Sequence, residues 1–223
     1  MLFLEGNIGA GKSSFLQILK DHLDCQVIFE PHNRWQGIDG EGNMLDLFYK
    51  NPKRWAYTFE TYTLLTRLLD HQIHITKQKT GFVISERSPY SGKYCFAANT
   101  RDQGYLSDIE WSLYQSLCHH LFAEHVAQPT GIIYLRTNPE ICHQRLKMRN
   151  RSEETSISLE YLQRIHSKHE DWLLNSKETP VLVLDGNLPY LSNQKSRESL
   201  VNSVSQFFGI ANQSENSLGS LEA

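Results

Sequence analysis

Leu2-Phe3-Leu4-Glu5-Gly6-Asn7-Ile8-Gly9-Ala10-Gly11-Lys12-Ser13-Ser14 opens the chain and decides its architecture. An apolar run of strand length enters a glycine-rich turn, and the turn enters a segment of helical period. Gly6 to Ser13 fit the phosphate-cradling pattern GxxxxGK[ST] in the strand–helix frame it requires. The glycines let the backbone wrap so that successive N–H groups point inward at phosphate oxygens. The first helical turn adds its partial positive charge. Gly6, Asn7, Ile8, Gly9, Ala10, Gly11, Lys12, Ser13 and Ser14 are therefore expected to hold a nucleotide triphosphate, with Lys12 on the β/γ-phosphates and the Ser13 hydroxyl on Mg²⁺.

Working outward, short apolar runs alternate with helix-length segments. Strands are expected at 2–5, 26–29, 82–85, 132–135 and 181–184, and helices at 12–23, 55–76, 107–125, 139–148 and 159–173. Each expected strand is apolar throughout, as in a parallel sheet buried on both faces. The alternation predicts an α/β fold with a five-stranded parallel sheet flanked by helices. Leu159, Leu162, Ile165, His169, Trp172 and Leu173 recur at helical spacing and should form one buried face. One domain is expected over residues 1–210, with a disordered tail at 211–223, where Ser, Asn and Glu dominate.

The chain has 223 residues, 39% of them hydrophobic, and a formal net charge of −3. That balance argues against an extended nucleic-acid surface. No apolar run is long enough to cross a membrane. With no basic segment and no longer apolar stretch ahead of the expected strand, a secretion signal is not expected. Cys25, Cys95, Cys118 and Cys142 lie far apart. They read as reduced thiols, and the expected compartment is the cytoplasm. The pairs His71/His74, His119/His120 and His166/His169 lack the Cys or acid cluster that would complete a metal site.

In a doubly wound sheet, ligands gather beyond the carboxyl ends of the strands. The second strand ends in Glu30-Pro31, with Trp35 just beyond. A carboxylate there can accept the proton of a hydroxyl that attacks phosphorus. The third strand ends in Glu86-Arg87-Ser88. Glu86 can hold Mg²⁺ through water or serve as a second base candidate, and Arg87 can meet charge that builds on the transferred phosphoryl. After the fourth strand come Arg145, Arg149 and Arg151, then Glu153-Glu154. Arg145 and Arg149 stand one helical turn apart and can aim at one target. An arginine-rich lid over a triphosphate, at about 145–156, suits phosphoryl transfer. No Asn-Lys-x-Asp segment reads guanine as in GTPases, which leaves ATPases, nucleotide kinases and nucleoside kinases open.

In order and spacing, these segments resemble the deoxynucleoside kinase family. The loop 6–14, Glu30-Pro31 with Trp35, Phe59-Glu60-Thr61-Tyr62, Glu86-Arg87-Ser88 and Tyr90-Ser91 carry the resemblance. So do Tyr134-Leu135-Arg136-Thr137-Asn138-Pro139-Glu140 and Leu159-Glu160-Tyr161-Leu162 with His166, His169-Glu170 and Trp172. The resemblance implies a P-loop kinase fold, transfer of the ATP γ-phosphoryl to a deoxynucleoside 5′-hydroxyl, and a homodimer. It implies Glu30 as general base, Arg87 at the 5′-oxygen with Glu86 beside it, and Tyr49 and Glu154 on the sugar 3′-hydroxyl. Trp35, Phe59 and Phe96 would wall the base with Ile8 below. Arg145, Arg149 and Arg151 would form the lid, and the loop 186–190 would border adenine.

Two positions depart from the family pattern. Glu60 stands where a glutamine usually faces the base edge, and Gly92 stands where purine- and cytidine-preferring members carry an aspartate that partners the arginine corresponding to Arg67. An ionised Glu60 offers acceptors only. It suits guanine, whose edge carries two adjacent donors, and deoxyguanosine or a related 6-oxopurine is the expected substrate. Cytosine and adenine would need Glu60 protonated. Arg67 is expected to pair with Glu60 or the base. Gly92 pulls the other way, since thymidine-accepting relatives have small residues there. Two other functions fit part of the pattern: a nucleoside monophosphate kinase of thymidylate-kinase type, and a P-loop protein that binds nucleotide without turnover. Glu30 beside the acceptor weighs against the first, and the joint presence of Lys12, Ser13, Glu30 and Arg87 against the second.

Overall fold

Leu2, Phe3 and Leu4 are fully buried, which puts the first strand at the centre of the protein. The computed structural model describes residues 1–37, 42–77, 81–126 and 128–213. Five parallel strands, β1 (Leu2–Glu5), β2 (Cys25–Ile28), β3 (Phe82–Glu86), β4 (Gly131–Arg136) and β5 (Val181–Asp185), form one sheet in the order β2-β3-β1-β4-β5. Leu4 pairs in register with Glu86 on one side and Ile133 on the other. The connections leave β1 toward one edge and later cross to the other, so the loop after β1 lies at the crevice where such folds bind ligands.

The helices are α1 (Lys12–His22), α2 (His32–Gln36), α3 (Met44–Lys50), α4 (Pro52–Lys77), α5 (Pro89–Ser91), α6 (Ala98–Asp102), α7 (Asp108–His125), α8 (Pro139–Arg149), α9 (Leu159–Leu173) and α10 (Gln194–Phe208). A π-helical segment, Gly92–Ala97, joins α5 to α6. Phe15, Leu16 and Leu19 of α1 and Leu200, Val201 and Val204 of α10 cover one face of the sheet. On the other face, Leu173 of α9 packs on Ile132 and Tyr134. Of the face expected on α9, Leu162, Ile165, His169 and Leu173 are buried, and Leu159 and Trp172 are partly so.

The five strands stand where the sequence predicts them, but burial on both faces holds only for β1, β3 and β4. β2 and β5 are the sheet's two edges, and only Ile28 and Leu184 in them are buried. The expected disordered tail falls mostly on 214–223, outside the described residues. Residues 211–213 fold back on α1, where Gln213 donates to the Lys20 carbonyl. Among the described residues, no helix is long and apolar enough to cross a membrane.

Candidate active site

The loop after β1 closes tightly. Gly9 has φ +76°, and a Cβ there would lie 2.6 Å from the Cys142 carbonyl oxygen. Gly11, at φ +97°, starts α1 directly beneath the Tyr190 hydroxyl, which donates to the Gly11 carbonyl at 3.2 Å. Asn7 donates through Nδ2 to the Leu162 carbonyl at 2.8 Å, tying the loop to α9. Lys12 Nζ donates to the Asn7 carbonyl at 2.8 Å. Burial, reinforced by Arg87, lowers the Lys12 pKa to about 8 against the pull of Glu86, Glu30 and Glu5. Ser13 Oγ donates to Glu86 Oε1 at 2.8 Å, so the hydroxyl and the carboxylate from two separate motifs meet.

Glu30 lies two residues past the end of β2, and its side chain is only 3% exposed. Arg67 of α4 donates to Oε1 from Nη2 at 2.7 Å and from Nε at 3.3 Å. Arg87 Nε and His32 Nε2 each lie 3.2 Å from Oε2. Burial alone would push the Glu30 carboxyl up, but Arg87, His32, Arg67 and Lys12 together overcome it and hold the pKa well below the usual carboxylate range. Arg67 thus hydrogen-bonds Glu30 and not Glu60 among the described residues, which corrects the expected Glu60 pairing, and it also lines the cavity. Buried beside Glu30, it holds the Oε1 oxygen while Arg87 and His32 hold Oε2.

Arg87 has φ +63°, a left-handed backbone that an L side chain adopts only under constraint. The constraint is visible on both sides. Its N–H donates to the Leu4 carbonyl at 2.9 Å, its Nη1 donates to the Gly6 carbonyl at 2.9 Å, and its guanidinium lies 4.7 Å from the centre of the Phe96 ring. The turn aims the cation at the junction of Glu30 and the phosphate loop.

These groups line one cavity of about 290 Å³. Its apolar wall is aromatic: Phe48 stacks on Phe59 at 4.6 Å, Trp35 meets Phe59 edge-on, and Tyr49, Tyr161 and Phe96 close the sides. Phe96 arrives on the π-helical segment, a device common at functional sites. Glu60 is buried in this wall and accepts from Thr100 Oγ1 at 2.9 Å. Burial raises its pKa to about 7 against the opposing influence of Thr100 and Arg67. A Cβ on Gly92 would lie 3.2 Å from Arg67 Nη1, so the missing side chain leaves that flank of the arginine uncovered.

The three arginines expected to form a lid do not share a target. Arg149 and Arg151 line the cavity, where Arg149 donates to both oxygens of Glu154 and Arg151 lies 3.6 Å from that carboxylate. Arg145 instead donates to the backbone carbonyls of Ala10 at 2.9 Å and Gly186 at 3.0 Å, which fixes the phosphate loop from outside. Of the other expected site residues, Ile8, Gly9, Gly11, Ser14, Trp35, Tyr49, Phe59 and Glu154 reach the cavity. Gly6, Asn7 and Ala10 do not line it, but their carbonyls anchor Arg87, Lys12 and Arg145. His32, Leu45, Phe48, Thr63 and Tyr161 line it as well and were not expected as site residues from the sequence. His32 had a usable signal, two residues from Glu30 in a strand-end turn.

The chain matches the family described as deoxynucleoside kinase over residues 2–209. It is 38% identical to a probable deoxycytidine kinase of fowlpox virus, over 92% of this chain and 86% of that one. It is 37% identical to deoxycytidine kinase 2 of Gallus gallus and 36% identical to the mitochondrial deoxyguanosine kinase of Xenopus laevis, in each case over 92% of this chain and 88% of the relative. With the fold, the phosphate loop and the Glu30–Arg87 pair in one cavity, these similarities establish that the chain belongs to the deoxynucleoside kinase family.

Proposed function

We propose that the cavity binds a deoxynucleoside with its 5′-hydroxyl between Glu30 and Arg87, and that the chain transfers the γ-phosphoryl of ATP to that hydroxyl. One observation carries this reading: the Glu30 carboxylate and the Lys12 loop line the same cavity, opposite an aromatic wall. Glu30 accepts the hydroxyl proton. A carboxylate held so far down by cations is a weak base toward a resting alcohol, so the proton moves late, once the forming bond to phosphorus has made the oxygen acidic. Arg87 meets the charge on the same oxygen. Arg67 and His32 keep the carboxylate oriented.

Ser13 Oγ and Glu86 Oε1, 2.8 Å apart, form the kind of hard oxygen pair that suits Mg²⁺ shared with phosphates and water. When bound, Mg²⁺ neutralises charge on the β- and γ-phosphates. Lys12, Arg149 and Arg151 add cationic groups on that side, while Arg145 and Tyr190 hold the loop in shape. Tyr49 and Glu154 take the sugar 3′-hydroxyl. Deoxyguanosine fits the ionised form of Glu60. The acceptor is uncharged: Arg67 and Arg87 are already engaged with Glu30, which leaves them poorly placed to bind a second anion, such as a monophosphate.

Leu65 and Leu69 on α4 and Ile109 and Leu113 on α7 stand exposed at helical spacing on neighbouring helices, which supports a homodimer built on this face. Four free cysteines support the cytoplasm as the compartment. The test is a coupled assay with MgATP, offering the four deoxynucleosides and, separately, their 5′-monophosphates. Turnover of a nucleoside is expected. Turnover confined to monophosphates overturns the reading.

A further inference from the structure

Three consecutive residues at the end of β1 meet the turn at Arg87-Ser88. The Leu4 carbonyl accepts from the Arg87 backbone N–H, and the Gly6 carbonyl accepts from Arg87 Nη1, each at 2.9 Å. Glu5 stands between them and is fully buried. Its Oε1 lies 2.5 Å from Ser88 Oγ. Its Oε2 has no hydrogen-bond partner among the described residues and lies 4.0 Å from Arg87 Nη1. The Ser88 hydroxyl accepts from the Ser91 N–H at 3.2 Å, so its own proton goes to Glu5. Glu5 therefore holds the residue that follows Arg87 and also faces the guanidinium.

The left-handed backbone of Arg87, at φ +63°, needs such support from its neighbours. A guanidinium is planar, so fixing two of its nitrogens fixes the direction of the third. Nε is engaged by Glu30 and Nη1 by Gly6. Nη2 makes no hydrogen bond among the described residues, and Arg87 lines the cavity. Nη2 is then the nitrogen left to meet the acceptor oxygen. Resting on the nucleoside kinase reading above, we propose that Glu5 is a positioning residue for the reaction. It locks the turn at Ser88 and the Nη1 side of the guanidinium, so that Nη2 is aimed at the 5′-oxygen as it attacks. Glu5 does not line the cavity and acts through Arg87. Lys12, the other cation near Glu5, is held instead by the Asn7 carbonyl.

The test is a double-mutant cycle in the full chain, with MgATP and a deoxynucleoside that the parent turns over. Glu5→Gln keeps the shape of the side chain and an acceptor for Ser88, and removes the charge that faces Nη1. Its kcat is expected to fall on the order of tenfold to a hundredfold, the loss that a small misplacement of a reacting group brings. KM for the nucleoside and for MgATP should stay within about twofold, because Arg87 is asked to act on the attacking oxygen. In an Arg87→Ala background the same change should cost nothing further, whereas a merely structural role would cost the same in both. Ser88→Ala removes the other hold, and it is expected to show the same loss and the same silence without Arg87. It decides the matter if Glu5→Gln does not melt as the parent does. Three outcomes overturn the proposal: a parental kcat in the deciding variant, an equal loss in the Arg87→Ala background, or a KM for MgATP that rises as kcat falls. The last would route Glu5 through Lys12. A parent chain that turns over no deoxynucleoside overturns the kinase reading and this proposal with it. An active parent with any of those three outcomes sinks positioning alone.

Discussion

Arg67 and Glu30, 37 residues apart in sequence, are joined by two hydrogen bonds in the buried wall of the cavity. The contact links the long helix that brings Phe59 and Glu60 to the cavity wall to the carboxylate beside the phosphate loop. Arg67→Ala removes one cation from a buried carboxylate that keeps Arg87 and His32. Loss of a buried partner of this kind costs about 3 kcal/mol. Denaturant melts should show that loss, and kcat should fall with it, because Glu30 is then free to turn. A variant as stable and as active as the parent would contradict the pairing.

Glu30→Gln keeps the shape of the side chain and removes its capacity to take a proton. The expected outcome is a fall in kcat of roughly a hundredfold or more, with KM for the nucleoside little changed, because the proton moves only in the transition state. Steady-state kinetics on a variant shown to melt normally decide this. Full activity would pass the base role to Glu86.

The Glu60 carboxyl also predicts a pH dependence of stability. Its folded pKa, about 7, lies above the 4.5 of the free side chain. Between these values the unfolded chain has released the proton and the folded chain still holds it, so stability falls as pH rises through the window and levels off above it. Glu60→Gln lacks this penalty. It should be more stable than the parent by about 3 kcal/mol at pH 8, and the advantage should shrink toward pH 4.5. Urea unfolding at the two pH values measures it, and an advantage independent of pH would refute the assignment.

Ser13→Ala breaks the oxygen pair with Glu86. Half-saturation by Mg²⁺ at fixed ATP should move up roughly tenfold, the order of loss seen when a metal site loses a supporting group. An unchanged Mg²⁺ titration would argue against that pair as the metal's seat.

The α4–α7 face yields a prediction in solution. Leu69→Glu combined with Ile109→Glu sets charges on apolar positions and should convert a dimer to a monomer in sedimentation at micromolar concentration. A parent chain that already sediments as a monomer would remove this face from consideration.

Much of this site was legible in the residues because its parts end strands. Gly6 to Ser13, Glu30 and Glu86-Arg87 each follow a short apolar run, and parallel topology brings strand ends together. What stayed hidden was pairing across distance. Nothing local in α4 says that Arg67 belongs to Glu30 instead of Glu60, because the choice is made by how α4 lies against the segment that follows β2. The burial of β2 and β5 was misread because an apolar run looks the same at the centre and at the edge of a sheet. Several helices were missed for different reasons. α2 and α3 are short, and the π-helical segment breaks the usual period between 89 and 102. α10 did carry signals, with Asn193 capping Ser196 N at its start and Gly209 at φ +68° at its end, but polar residues dilute its Leu200, Val201 and Val204 face. Arg145 and Arg149 were read as a pair from their spacing. One turn of helix, however, is enough to send one to a backbone carbonyl and the other to a carboxylate.

The anchors that Arg145, Gly186 and Tyr190 provide for the loop at residues 6–14 have a consequence for how the protein comes into being. The glycine-rich segment is made well before Gly186 and Tyr190, which help hold it in place. A nascent chain that ends before residue 186 contains the whole glycine-rich motif but lacks the carbonyl that Arg145 needs and the hydroxyl that sits over Gly11. The loop is therefore expected to reach its held shape only after residues 186–190 have emerged and packed against it.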